Sequence, residues 1–156
     1  MDVVSMSLAV TNQGVNQLFS LTKIRFLYPA FRFSNIEEGI QQLDLEISGD
    51  TTDNQLILAT PADVDNQLWM LFSNGDGSYH LSTVMFGRSK SLQVVRDRQY
   101  YSLKMMNTRQ IDSQKWRFFS TQEADSWNIG NLWIAGKLLD KLHVNGIVQL
   151  QLVDPR

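Results

Sequence analysis

The sequence predicts an all-β domain made of three internal repeats, and three observations carry that prediction. Short runs alternate apolar and polar residues, among them "FRFSN", "LDLEIS", "QLILAT", "QLWMLF", "SLQVV", "YSLKMM" and "VQLQLV". Gly, Asn, Asp and Ser separate them. An aromatic-led strand recurs at one constant interval, opening at Phe31, Tyr79 and Trp127. No extended segment carries a helical i, i+3, i+4, i+7 pattern over about eleven residues, "EEGIQQLDLEI" coming closest. With 156 residues and 43% hydrophobic content, the chain is sized for one domain with a sizeable core.

The elements follow in phase. Each unit opens on an aromatic-polar-apolar strand: Phe31-Arg32-Phe33, Tyr79-His80-Leu81 and Trp127-Asn128-Ile129. A second strand follows at Leu43 to Ser48, Ser91 to Val95 and Leu138 to Val144, and then a third. The fourth holds a glutamine two places before an aromatic, in "NQLW" (Asn66 to Trp69) and "SQKW" (Ser113 to Trp116). The third unit reaches Arg156 without one. "NQLF", Asn16 to Phe19, precedes Phe31 at nearly the spacing that separates Gln67 from Tyr79, so the N-terminal segment is expected to supply it. The repeats are then about 31–78, 79–126, and 127–156 closed by 13–30, with 1–12 as an extra segment. The alternative is that "SMSLAVTN" and "NQLFSL" form an ordinary opening strand pair. "SNGDGS", Ser73 to Ser78, reads as a turn whose glycines supply positive φ, since the spaced carboxylates of a calcium loop are missing.

Gln67 and Trp69 lie two apart, so in a strand both would face the core. Three packed repeats bring three aromatic rings into a shared core, and one glutamine amide can satisfy both the N–H and the C=O of an irregular loop. Gln17, Gln67 and Gln114 are therefore read as structural pins whose burial is offset by those hydrogen bonds.

Three units of the form aromatic-x-apolar, then L-D-L, then Q-x-W resemble the ricin B-type, or Q-x-W, lectin family. The best-matching stretch runs from Phe31 to Leu71, and the second unit follows in weaker form. The resemblance implies a β-trefoil of twelve strands, with six hairpins forming a barrel and a triangular cap. It also implies shallow sugar sites for galactose or N-acetylgalactosamine-type glycans, each with an aspartate on the second strand, an aromatic after the third, and the asparagine before the glutamine. Carried over, the first unit keeps Asp44 and Asn66, while the stacking position falls near Ala59 or Thr60 and lacks a ring. In the second, the acid position reads Gln93 and the asparagine position Ser113, with Tyr100 and Tyr101 supplying rings. The third keeps Asp140, as far past Trp127 as Asp44 is past Phe31, and Asn16 completes it if the termini meet. Gln149 and Trp133 are expected nearby. Asp44 and Asp140 also read as ordinary strand or turn acids.

Charge and composition narrow the classes. A net charge of −2, with 14 basic residues scattered among 16 acids, offers no field for a phosphate backbone, so nucleic acid is not expected as a partner. The lack of cysteine excludes disulfides and thiolate chemistry. His80, at the polar position of its strand, and His143 are in no metal-ligand spacing, and no glycine-rich loop leads from strand to helix. No enzyme activity and no cofactor or metal are expected. "GRSKS", Gly87 to Ser91, reads as a solvated hairpin tip or an anion site, and Glu37-Glu38 as an exposed turn. The start of the sequence has no basic, apolar leader pattern and no stretch is long enough to span a bilayer, so a cytoplasmic protein without membrane insertion is expected. The leading expectation is a lectin for glycans or glycoproteins, with repeated sites or a homodimer supplying avidity. The alternative is a trefoil acting by protein contact, such as a protease inhibitor or assembly subunit.

Overall fold

The computed structural model describes residues 3–8, 19–25, 29–35, 43–48, 54–122, 126–144 and 147–155. Its strands are β1 (Val3–Leu8), β2 (Phe19–Arg25), β3 (Pro29–Asn35), β4 (Leu43–Ile47), β5 (Leu56–Ala59), β6 (Trp69–Ser73) and β7 (Tyr79–Thr83). There follow β8 (Lys90–Asp97), β9 (Tyr100–Asn107), β10 (Trp116–Ser120), β11 (Trp127–Asn131), β12 (Leu138–Val144) and β13 (Ile147–Val153). The only helices among the described residues are single 3-10 turns at Asp65–Gln67, Gly87–Ser89 and Asp112–Gln114. The turn expected at Glu37-Glu38 lies outside the described residues.

Six strands close a ring. The hairpins β2–β3, β6–β7 and β10–β11 are joined to one another by Phe31↔Trp69, Tyr79↔Trp116 and Trp127↔Phe19. Closure leaves the ring itself without a free edge. The hairpins β4–β5, β8–β9 and β12–β13 form the cap. This is the β-trefoil architecture. Phe19 takes the place in the third unit that Trp69 and Trp116 take in the first two. β1 pairs along most of β2, so the strand pair of the alternative reading forms while β2 also belongs to the ring.

The ring aromatics meet on the inside, where burial of large rings drives folding. Phe19, Trp69 and Trp116 are buried, Phe33 meets Trp69 edge-on at 5.7 Å, and Phe33 stacks on Phe118 at 5.9 Å. The turn after β6 closes through Asn74 N–H to Ser78 O, with Gly75 and Gly77 at φ of 82° and 88°. There the Ser78 hydroxyl and N–H hold the Asp76 carboxyl below its ordinary range.

The register between units differs from simple counting. Ser34 pairs with Asp44, and Gly130, placed equally far past its opening aromatic, pairs with Leu138. The first pair is more widely separated in sequence than the second, because the third unit has a shorter connection. Leu138 therefore matches Asp44, and Asp140 matches Glu46. Lys141 then occupies the place of Ile47 and Val94. It is 2% exposed, a charged side chain at a core position, and burial lowers its pKa from 10.5.

Candidate functional site

The glutamines anchor the site region from below. Gln67 lies in a 3-10 turn just before β6, not within the strand, because its amide must reach sideways to the preceding loop. Its Oε1 accepts from Ala62 N–H (2.8 Å), and its Nε2 donates to Thr60 O (2.9 Å) and to Glu46 Oε1 (3.1 Å). Gln114 repeats the pattern: Oε1 accepts from Arg109 N–H (2.7 Å), and Nε2 donates to Asn107 O (2.8 Å) and Gln93 Oε1 (2.9 Å). One amide thus satisfies a loop N–H and a loop C=O, as read from the sequence. Trp69 and Trp116 add indole N–H bonds to Leu45 O and Leu92 O, at 3.1 and 2.9 Å. Gln17 lies outside the described residues.

A second clamp comes from the first strand. Arg32 Nη1 donates to Ala62 O (2.8 Å), and at the matching place His80 Nε2 lies 2.9 Å from Arg109 O. His80 Nδ1 is 2.7 Å from Asn74 Oδ1, and the ring is buried. His80 holds the polar position of its strand, but that position does not face solvent. In the sequence Arg32 and His80 are each only the polar residue right after an opening aromatic, and the loop carbonyl each holds is not legible there. The side chain of His143 lies outside the described residues.

The four sequence-derived sugar contacts do not form one kind of site. Asp44 is 1% exposed, and its carboxylate accepts from Ser34 Oγ (2.5 Å) and lies 3.4 Å from Arg32 Nη1. Arg32 Nη2 reaches on to Asp63 at 3.5 Å, so the guanidinium spans from the buried acid to the surface. Asn66 Nδ2 donates to Ile47 O at 2.8 Å, tying the 3-10 turn to β4. Asp140 is buried and paired across strands with Gln151, at the register of Glu46 rather than Asp44. Gln93 is likewise at the register of Glu46, since it takes the Gln114 amide, and Ser91 stands at the Asp44 position. Asn16 and the side chain of Gln149 lie outside the described residues. Asp44→Asn is expected to cost about 1.5–3 kcal/mol by weakening charged hydrogen bonds in a buried place. Urea unfolding checks this, and an unchanged midpoint would contradict the assignment.

"GRSKS" is not a hairpin tip. Gly87–Ser89 forms a 3-10 turn between β7 and β8, with Arg88 over the Phe72 ring at 4.3 Å and Lys90 over Phe86 at 5.7 Å.

Exposed rings gather elsewhere, on the cap. Tyr100 is 68% exposed, Tyr101 46% and Trp133 43%, and Tyr101 meets Trp133 edge-on with centroids 5.7 Å apart. They belong to different repeats, and the β11–β12 connection brings Trp133 past β9. Beside them the three cap hairpins leave a hollow of about 460 Å³. Gln55, Ile57, Tyr100, Tyr101, Leu150 and Gln151 line it. Flat rings next to amide side chains can stack on the C–H face of a sugar while the amides meet its hydroxyls.

Comparison of the sequence with protein-family models and with curated proteins gives no match. Among solved structures, the chain is similar to a designed threefold-symmetric protein, ThreeFoil, known from its crystal structure. The TM-score is 0.59 at 21% identity, over 72% of this chain and 81% of that one. The likeness is one of fold: the chain is a β-trefoil.

Proposed function

We propose that this β-trefoil is a non-enzymatic carbohydrate-binding protein that holds galactose or N-acetylgalactosamine-type glycans on its cap. The observation that carries the reading is the exposed Tyr101–Trp133 pair, flanked by Tyr100, beside a hollow walled by Gln55 and Gln151. Large rings left in water at one place mark a binding surface more often than scattered single ones. The Q-x-W resemblance supports the same class. It places sugar at Asp44 and Asn66, however, where Arg32 and Ile47 O already take up the polar groups. A glycan entering there must first displace Arg32.

The test is a panel of galactose-, N-acetylgalactosamine- and lactose-terminated glycans against the protein and the Tyr101→Ala and Trp133→Ala variants. Both rings are exposed, so the variants keep the fold. Binding is expected to weaken by about tenfold in each, which is about 1.4 kcal/mol. A flat panel together with measurable inhibition of a serine or cysteine protease would overturn the reading in favour of a protein-contact role.

A further inference from the structure

The seam between β5 and β9 continues past the tyrosines. Gln55 bridges to Lys104, and Asn54 O accepts from Met105 N–H at 3.0 Å, so the two cap hairpins are stitched together there. Beyond the stitch lies a second hollow, of about 530 Å³, lined by Asn54, Lys90, Lys104, Asn107, Arg109 and two methionines. Three cations thus share one hollow, with no acid among its described lining residues, in a chain of net charge −2. The ion pairs made by Arg32, Lys115 and Lys137 do not involve these three.

Arg109 gives the independent observation. Its N–H and C=O are held by Gln114 and His80, as those of Ala62 are held by Gln67 and Arg32. The first unit makes the same clamp with an alanine, so the architecture does not require a guanidinium at this position. Like charges gathered in one place repel, and a bound anion relieves that repulsion.

We propose that the seam from Tyr100 to Arg109 binds an anionic oligosaccharide. A ring rests on the tyrosines, and a sulfate or carboxylate group is taken up by Lys90, Lys104 and Arg109, with the Asn54 and Asn107 amides beside it. The inference rests on the glycan-binding reading and names its ligand class. Tyr100, Ser102 and Lys104 share one strand face, and four residues at about 3.3 Å each span about 13 Å. The ligand is therefore longer than a single sugar ring.

The experiment is calorimetric titration with matched neutral, sulfated and uronate-bearing galactose oligosaccharides, at low and high salt. Wild type is expected to prefer at least one acidic form by on the order of tenfold, as charge-assisted hydrogen bonds allow, and less so at high salt. In Lys104→Gln and Arg109→Ala the acidic-to-neutral ratio is expected to fall toward one. The second variant tests the site without risk to the fold, since Ala62 already fills the matching place. Equal affinity for neutral and acidic forms, or a preference that survives both substitutions, would overturn the proposal. So would binding of a single-stranded oligonucleotide as tight as that of the acidic sugar. Inorganic sulfate separates the two levels. If no sugar binds but sulfate shifts the Lys104 and Arg109 amide resonances and the variants abolish that shift, the anion site stands and the glycan reading fails.

Discussion

Replacing Lys141 by isoleucine is expected to remove an alkaline pH dependence of stability, because it takes away a titrating group whose pKa burial lowers in the folded state. The register places Lys141 where the other two units put Ile47 and Val94, so a charged group occupies a position built for an aliphatic one. Burial is the cause of its lowered pKa. The unfolded chain therefore holds this proton more tightly than the folded one. Between the folded-state pKa and 10.5 unfolding takes up a proton, so stability rises with pH across that window. Below it the folded and unfolded chains both carry the charge, and the pH dependence from this group levels off. Thermal unfolding of wild type and Lys141→Ile from neutral to alkaline pH checks this: wild type should gain stability across that window and the variant should not. A variant less stable at every pH would show that the ammonium is held by contacts worth more than its desolvation.

The second large effect is in the ring. Trp116→Ala is expected to cost about 3–5 kcal/mol, since it removes a fully buried ring and leaves a cavity. It also leaves Leu92 O without its indole donor. Gln114→Ala acts by another route: it removes the amide's hydrogen bonds to Arg109 N–H, Asn107 O and Gln93, at about 0.5–1.5 kcal/mol each. Gln114→Glu separates the two halves of the amide, because a carboxylate can still accept from Arg109 N–H but cannot donate to Asn107 O or Gln93. Chemical denaturation of the three variants should rank Trp116→Ala and Gln114→Ala below wild type, with Gln114→Glu also destabilised. A Gln114→Ala protein as stable as wild type would contradict the clamp.

The glutamine clamp is legible in the sequence because the signal repeats in phase, and its chemistry follows from one amide facing one loop. Its local geometry is not: a 3-10 turn, not a strand, carries Gln67, since alternation cannot distinguish the two over so few residues. Counting misplaces the sugar contacts. A fixed interval from the opening aromatic equates Asp140 with Asp44, whereas strand pairing is set by hydrogen bonds and absorbs differences in loop length. Arg32 and His80 read only as the polar positions of alternating strands. Their partners, Ala62 O and Arg109 O, lie 30 and 29 residues away, beyond the reach of any local pattern. The Tyr101–Trp133 wall has the same origin, since only the closed ring brings a second-unit strand beside a third-unit loop.

Amide chemical-shift mapping with a bound galactose-terminated oligosaccharide tests the location of the site most directly. The expected result is a saturable set of shifts centred on Tyr100, Tyr101, Trp133 and Gln151, with the Trp133 indole resonance among those that move most. Shifts centred instead on Arg32, Asp44 and Asn66, or no saturable shift with any glycan, would contradict it.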